Sequence, residues 1–306
     1  MRVTAGIIAN QITSDLHVAL AKLAKQQRLI ATGRRINEPS DDPNGAARAL
    51  TIRSREAGNT QFQRNIDVAR TRLTAGEASL RAVIEALQGA QELAIQGAND
   101  SNDAGARLAI GTQIDQALEE AVALANGRGP DGAMLFGGQE VTTAPYTVTR
   151  DVNGKITALT VNPRGIDATM PTEVSEGLTV VQGVSGTLVF GDLTDPTNAF
   201  DTLIRVRDAL NLNDGATVRT ELDNVQAIHD RTVTASQLVG TRLAWLDKLE
   251  SQLKDESVAN IASLGDLEDA DLAKAVSDMA QTQTFYQGAL ASGAKLLQQS
   301  LVDFLR

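Results

Sequence analysis

Residues 62–94 read FQRNIDVARTRLTAGEASLRAVIEALQGAQELA. Counting forward from Phe62 by four and then three meets Ile66, Ala69, Leu73, Gly76, Leu80, Val83, Leu87, Ala90 and Ala94. Gly76 aside, every position reached is apolar, and no proline interrupts the run. This is a 3.5-residue hydrophobic repeat, the signature of a helix that buries one narrow seam along its length. A solitary amphipathic helix drifts towards a 3.6-residue period over such a distance. The spacing therefore predicts a long helix over Phe62–Ala98, roughly 55 Å at 1.5 Å per residue, packed lengthwise on other helices.

Such a seam needs partners, and both ends of the chain carry the same spacing. Ile12, Leu16, Ala19, Leu23, Gln26 and Ile30 form one line. A second comprises Leu222, Val225, His229, Thr232, Ser236, Val239, Leu243 and Leu246, reaching Leu253. A third comprises Leu272, Val276, Met279, Gln283, Tyr286, Leu290, Gly293, Leu297, Ser300 and Phe304. Two outcomes are open for these seams: closure within one intramolecular bundle, or completion by other subunits.

Between the arms the pattern changes. Gly127–Gly132 is turn chemistry. Tyr146–Val152 and Lys155–Val161 alternate Thr with aliphatic residues, and Asn153-Gly154 between them fits a two-residue hairpin turn. Gly177–Gln182 and Thr187–Phe190 are two further strand candidates, separated by Pro171, Gly183 and Gly186. The expected fold is mainly α with a β-rich insert: a long antiparallel helical bundle or coiled coil from both chain ends, with a small β domain in the middle. In the arms, Gly33 ends the first helix, and Asp42 with Pro43 caps and starts the next. A bend or break is expected near Gly58-Asn59. Asp103 is a candidate cap for a helix over about 106–126, the long C-terminal helix is expected to end near Ser257, and Leu264–Asp269 reads as a turn or kink.

Composition removes whole classes of function. The 306 residues carry a net charge of −10 and no cysteine. Disulfides, thiolate metal sites and cysteine nucleophiles are excluded, and nucleic acid is not an expected partner of the whole chain. No apolar run is long enough to span a membrane, and no cleavable signal is visible at Met1–Leu16. Residues 22–72 nevertheless hold eleven Lys or Arg against five acids, either a solvated helix face or a surface for an acidic neighbouring subunit. Gly127–Gly132 spells G-x-G-x-x-G but follows a helix and contains Pro130, unlike a dinucleotide fingerprint. Asn99–Gly105 lacks the closing Glu of a calcium loop. The two histidines, His17 and His229, lie on different helices. No catalytic, cofactor or metal site is expected, and an enzyme carried by residues 137–195 would have neither His nor Cys to work with.

Residues 23–49, LAKQQRLIATGRRINEPSDDPNGAARA, closely resemble the N-terminal region of the flagellin superfamily. The resemblance rests on Thr32-Gly33-Arg34-Arg35 followed by Pro39-Ser40-Asp41-Asp42-Pro43. The form with both prolines is similar to the hook-associated branch of that superfamily rather than to its filament subunits. Leu135-Phe136-Gly137-Gly138 with Ala144-Pro145-Tyr146, and the close Ser300–Leu305, are similar to the family pattern; Met134 stands where the family commonly has Tyr.

The resemblance implies three parts. Residues 1–32 with 272–306 form a terminal coiled coil innermost in a tube, 33–136 with 198–271 a helical rod, and 137–197 a small β-rich outer domain. It also implies a structural adaptor between flagellar hook and filament, extracellular and exported without a cleaved signal. Implied partners are other copies of the chain in a ring, a hook-side junction protein (hook-associated protein 1), flagellin on the filament side and an export chaperone. The expected assembly interface is Ile12, Leu16, Ala19, Leu23, Leu272, Val276, Met279, Tyr286, Leu290, Leu297, Leu301 and Phe304. The expected inter-domain loop is Gly33, Arg34, Arg35, Pro39, Asp41, Asp42 and Pro43. A flagellin-like filament subunit is the near alternative, and a cytoplasmic helical signalling or chaperone protein the alternative of another class.

Overall fold

The computed structural model describes residues 5–162 and 164–304, with the side chains of 5, 6, 8, 9 and 296–304 outside the described set. The element order is α1 (Ala5–Thr32), α2 (Pro43–Ala98), α3 (Ala104–Ala125), β1 (Tyr146–Arg150), β2 (Ile156–Val161), β3 (Pro171–Ser175), β4 (Leu178–Val181), α4 (Gly186–Phe190), α5 (Ala199–Asn211), α6 (Gly215–Glu268) and α7 (Leu272–Phe304). These make two compact units, one of residues 1–58 with 255–306 and one of 59–254. The architecture is mainly helical, with two small hairpin sheets in the middle of the chain.

In the unit of residues 59–254, the α2 seam is the spine. From Ile66 to Ala94 every seam residue is buried, with Ile66, Leu80 and Val83 fully so. The chain arm on α6 covers it: Arg70 reaches Asp247 at 3.0 Å, Gln88 meets His229 at 3.2 Å, and Gln91 donates to Gln226 at 2.5 Å. Rising numbers on α2 meet falling numbers on α6, so the pair is antiparallel. Buried Val225, Thr232, Val239, Leu246 and Leu253 face inward, and Leu222, His229, Ser236 and Leu243 are half-buried.

The helix ends are closed by side chains. Asp103 accepts from the Ala106 amide at 2.7 Å and caps α3. Arg107, buried at 7 % exposure, donates to the Gly97 carbonyl at 3.0 Å, the Asn99 carbonyl at 3.0 Å and Asn213 Oδ1 at 2.7 Å. It thereby satisfies carbonyls that the last turn of α2 leaves unpaired. Arg207 on α5 joins Asp115 at 2.9 Å and the Ile156 carbonyl at 2.7 Å, tying α3 to β2. Nothing in the local sequence marks either arginine as buried.

The β region shares this core rather than forming one of its own. Phe136, Tyr146, Phe190 and Phe200 make a ring cluster with centroids 5.0 to 5.7 Å apart, continuous with the α2 and α5 side chains. Gly138, at φ 61°, packs against the carbonyls of Gly165, Ile166 and Ala168, where a Cβ has no room.

Five local expectations need correction. Residues 187–190 are not a strand: Ser185 accepts from the Thr187 amide at 3.2 Å and starts α4, which Gly191 ends at φ 88°. Pro171 opens β3 instead of separating strands, and β3 pairs with β4 from Pro171↔Val181 to Ser175↔Leu178. In the β1–β2 hairpin only Gly154 takes positive φ, at 83°; Asp151 Oδ1 accepts from Asn153 and Lys155, giving a longer turn with a register shift at Thr149/Arg150. The break expected at Gly58-Asn59 is absent, since α2 runs on from Pro43 and a single helical Gly costs only about 1 kcal/mol. Finally, α6 continues through Ser257 and Leu264 to Glu268.

Leu80→Ala is expected to destabilise the protein by about 2–5 kcal/mol, because it hollows a site closed on all sides. Val68→Ala lies on the same helix with Val68 55 % exposed, and is expected to change stability by no more than about 0.5 kcal/mol. Urea unfolding followed by circular dichroism separates the two; equal effects would refute the seam as the spine.

Candidate assembly interface

In the unit of residues 1–58 and 255–306, α1 and α7 pack antiparallel. Gly293 lies against Ile12 near one end, and Arg34 bridges Asp269 at the other. On α1 the half-buried line is Ile12, Leu16, Ala19, Leu23, Gln26 and Ile30, the seam counted from the sequence. Gln26 Oε1 is buried there without a hydrogen-bond partner.

On α7 the register differs. The residues turned inward are Ala275, Met279, Thr282, Tyr286, Ala289 and Gly293. Of the expected seam, Met279, Tyr286 and Gly293 lie on this covered side. Leu272, Val276 and Leu290 are 49 %, 51 % and 44 % exposed, and Gln283 is exposed too. The reason is steric: Ala275, Ala289 and Gly293 let two helices approach closely, whereas the larger aliphatics flank that line. The apolar surface of α7 is therefore wider than one partner helix covers. Phe285, 67 % exposed, belongs to the uncovered part and was not singled out by the heptad count. The side chains of Leu297, Leu301 and Phe304 lie outside the described residues.

The loop after α1 is built from charge and turn geometry. Gly33 takes φ 69° and closes α1 by donating to the Leu29 carbonyl at 2.9 Å. Its own carbonyl accepts from Ala270, and the Arg35 amide donates to the Glu268 carbonyl, so the loop is stitched to the α6–α7 junction. Glu268 is 5 % exposed and pairs with Arg53 at 2.5 Å and, more distantly, Arg34 at 3.9 Å. Arg35 donates to the Leu267 carbonyl at 2.8 Å and meets Asp42 at 3.3 Å. The acidic run around Glu268 thus serves two ends: Glu268 anchors the loop, and Asp271 accepts from the Lys274 amide to start α7.

Between the prolines, Asp41 receives three donors: Lys25 at 2.8 Å and the Asn37 and Glu38 amides at 3.1 and 3.2 Å. The Lys25 bond first, then the two amides, hold its pKa at about 2. Asp42 accepts from the Gly45 amide at 2.9 Å, which caps α2 above Pro43 and lowers its pKa, with Arg35 adding to the effect. Pro39 and Pro43 are exposed and bracket this turn. Gly33, Arg34, Arg35, Asp41 and Asp42 therefore all have partners within their own unit, and the described loop works as a fastener. Among the described residues no cluster of three His, Asp or Glu could hold a metal, and no helix is long and apolar enough to cross a membrane.

Because Asp41 titrates lower in the folded state than in the unfolded chain, its contribution is fully present above about pH 3.8 and is lost as the pH falls through about 2. Asp41→Asn is expected to lower the thermal midpoint at pH 7 and to flatten its fall between about pH 4 and about pH 2. A variant whose midpoint retains the full acid slope would show that the loop carboxylate is not a fastener.

Comparison with known proteins agrees with this geometry. Residues 3–140 match the family model for the bacterial flagellin N-terminal helical region. Flagellar hook-associated protein 3 of Escherichia coli (strain K12) is 24 % identical over 311 residues, spanning 94 % of this chain and 95 % of that protein. A flagellin of Listeria innocua is 22 % identical, spanning 95 % and 94 %. The crystal structure of flagellar hook associated protein-3 from Legionella pneumophila shares the fold, with a TM-score of 0.62 at 16 % identity, covering 71 % of this chain and 98 % of that one. With paired terminal helices, the proline-bracketed loop and a β insert between helical arms, this chain is similar to flagellar hook-associated protein 3 over nearly its whole length, and to the flagellin N-terminal helical region over residues 3–140.

Proposed function

We propose that this protein is the structural adaptor at the junction of flagellar hook and filament, and that copies assemble through their terminal helices. The observation that carries the reading is the uncovered apolar face of α7. Leu272, Val276 and Leu290 stay exposed in a line along one flank of the strip that α1 covers, and Phe285 stays exposed on the other flank. Ten of the nineteen large exposed hydrophobics among the described residues lie in the unit of 1–58 and 255–306, although it is the smaller of the two. Scattered apolar residues need no explanation, but a line of them along one helix marks a surface awaiting a partner. Burying what these four α7 side chains still expose, about half of each, contributes on the order of 3–6 kcal/mol before the cost of ordering is deducted.

The named interface is then Ile12, Leu16, Ala19 and Leu23 on α1 with Leu272, Val276, Met279, Tyr286, Leu290, Leu297, Leu301 and Phe304 on α7. Residues 1–32 and 272–306 act as the inner polymerising part, 33–136 with 198–271 as a rod and 137–197 as an outer domain. The partners are other copies in a ring, hook-associated protein 1 on the hook side and flagellin on the filament side, with an export chaperone beforehand. The protein works outside the cell, exported without a cleaved signal, and performs no catalysis. The proline-bracketed loop favours the adaptor over a filament subunit.

Cells lacking the protein are expected to build hooks and release flagellin into the medium without filaments; normally attached filaments would overturn the junction reading. Leu272→Asp with Val276→Asp is expected to leave the circular dichroism of the monomer unchanged, since both positions are exposed, and to abolish sedimentation with detached hooks. Retained sedimentation would remove α7 from the interface.

A further inference from the structure

The unit of residues 59–254 leaves two of its own surfaces open. The first is a ridge on α6. Leu238 and Trp245 stand one heptad apart at 38 % and 36 % exposure, and exposed Lys248 follows on the same line. The carboxylates beside Lys248 are taken: Asp247 and Glu250 pair with Arg70, and Glu250 also with Lys254. The second is a groove of about 480 Å³ between α2 and α3, with Leu93 and Ala117 in its floor and Glu85 and Glu120 on its rims. Gly89 opens its centre, where an added side chain meets nothing within 4 Å. Among the described residues no cation lies within ion-pair distance of Glu85 or Glu120, although the neighbouring Glu119 holds Arg150.

We propose that the α6 ridge of one copy seats in the α2–α3 groove of the next, making a head-to-tail contact between copies. Charge complementarity selects a second copy as the occupant. Residues 59–254 hold 25 acids against 16 Lys or Arg, so two such units repel unless a cationic surface of one meets an acidic surface of the other. The ridge supplies that cation next to a tryptophan, the side chain that most often anchors an interface. The groove supplies an apolar floor between two carboxylates. Because ridge and groove are different surfaces of the same chain, the contact leaves one of each free and repeats into a ring or a filament. This rests on the reading that copies assemble through α1 and α7, and adds the contact that passes from copy to copy in the other unit.

Trp245 is the single tryptophan of the chain, so its fluorescence reports the ridge directly. As the full-length protein is concentrated into assemblies seen by sedimentation, emission is expected to move to shorter wavelength and acrylamide quenching to fall. Gly89→Phe fills the groove and is expected to weaken association about 30-fold and to keep Trp245 solvent-quenched. If Gly89→Phe disturbs α2, Glu85→Lys with Glu120→Lys tests the same groove from its rims, and adding Lys248→Glu to that chain is expected to restore association. Assembly with Trp245 emission unchanged overturns the ridge contact and leaves the terminal-helix reading standing. Emission that shifts only when detached hooks or filaments are added also overturns it, assigning the ridge to a different protein.

Discussion

The structure depends on burial along one side of α2. Between Phe62 and Ala94 the helix presents an apolar residue or Gly76 every three or four positions, and from Ile66 onward each is enclosed. A helix this long gains little from propensity alone, because most helical stability in proteins comes from packing an apolar face. α6 and the side chains of α3 and α5 are held in place by that seam. The β hairpins join the same core through the Phe136–Tyr146–Phe190–Phe200 cluster, so the insert is anchored by aromatic packing and not by sheet size.

Polar groups decide where the helices stop. Arg107 gathers carbonyls from the end of α2 and the two loops beside it, and Glu268 gathers Arg53, Arg34 and the loop after α1. Both are nearly buried, and burying a charge is costly unless it is paired and hydrogen-bonded. Their partners are therefore what keeps them compatible with the fold. The same economy explains the Pro39–Pro43 turn, where Asp41 and Asp42 use backbone amides that would otherwise lack acceptors.

The two units differ in how completely they cover their apolar surface. In residues 59–254 the α2 seam is buried from Ile66 to Ala94, and the α6 ridge and the α2–α3 groove beside it stay open. In residues 1–58 and 255–306 two helices share one line of contact, and α7 keeps a second line facing outward. A surface left open in this way suits the proposed assembly through the terminal helices.

Much of this was legible in the sequence. The α2 seam, the α1 line from Ile12 to Ile30, the caps Asp42 and Asp103, and the helix–β–helix order all follow from periodicity and local hydrogen bonding. Those are interactions between residues close in the chain. What the sequence alone did not decide was which of two adjacent apolar lines on α7 meets α1, that residues 187–190 coil instead of extending, and that α2 passes Gly58 unbroken. It also did not decide that Arg107, Arg207 and Glu268 are the buried charges. Each of these depends on atoms brought from distant parts of the chain: small residues that permit close helix approach, carbonyls left unpaired at another helix's end, and a neighbouring wall that rewards continuing a helix through glycine. Local pattern determined which elements form and which faces are apolar; only the tertiary structure decided which faces are covered, because coverage is a property of the partner.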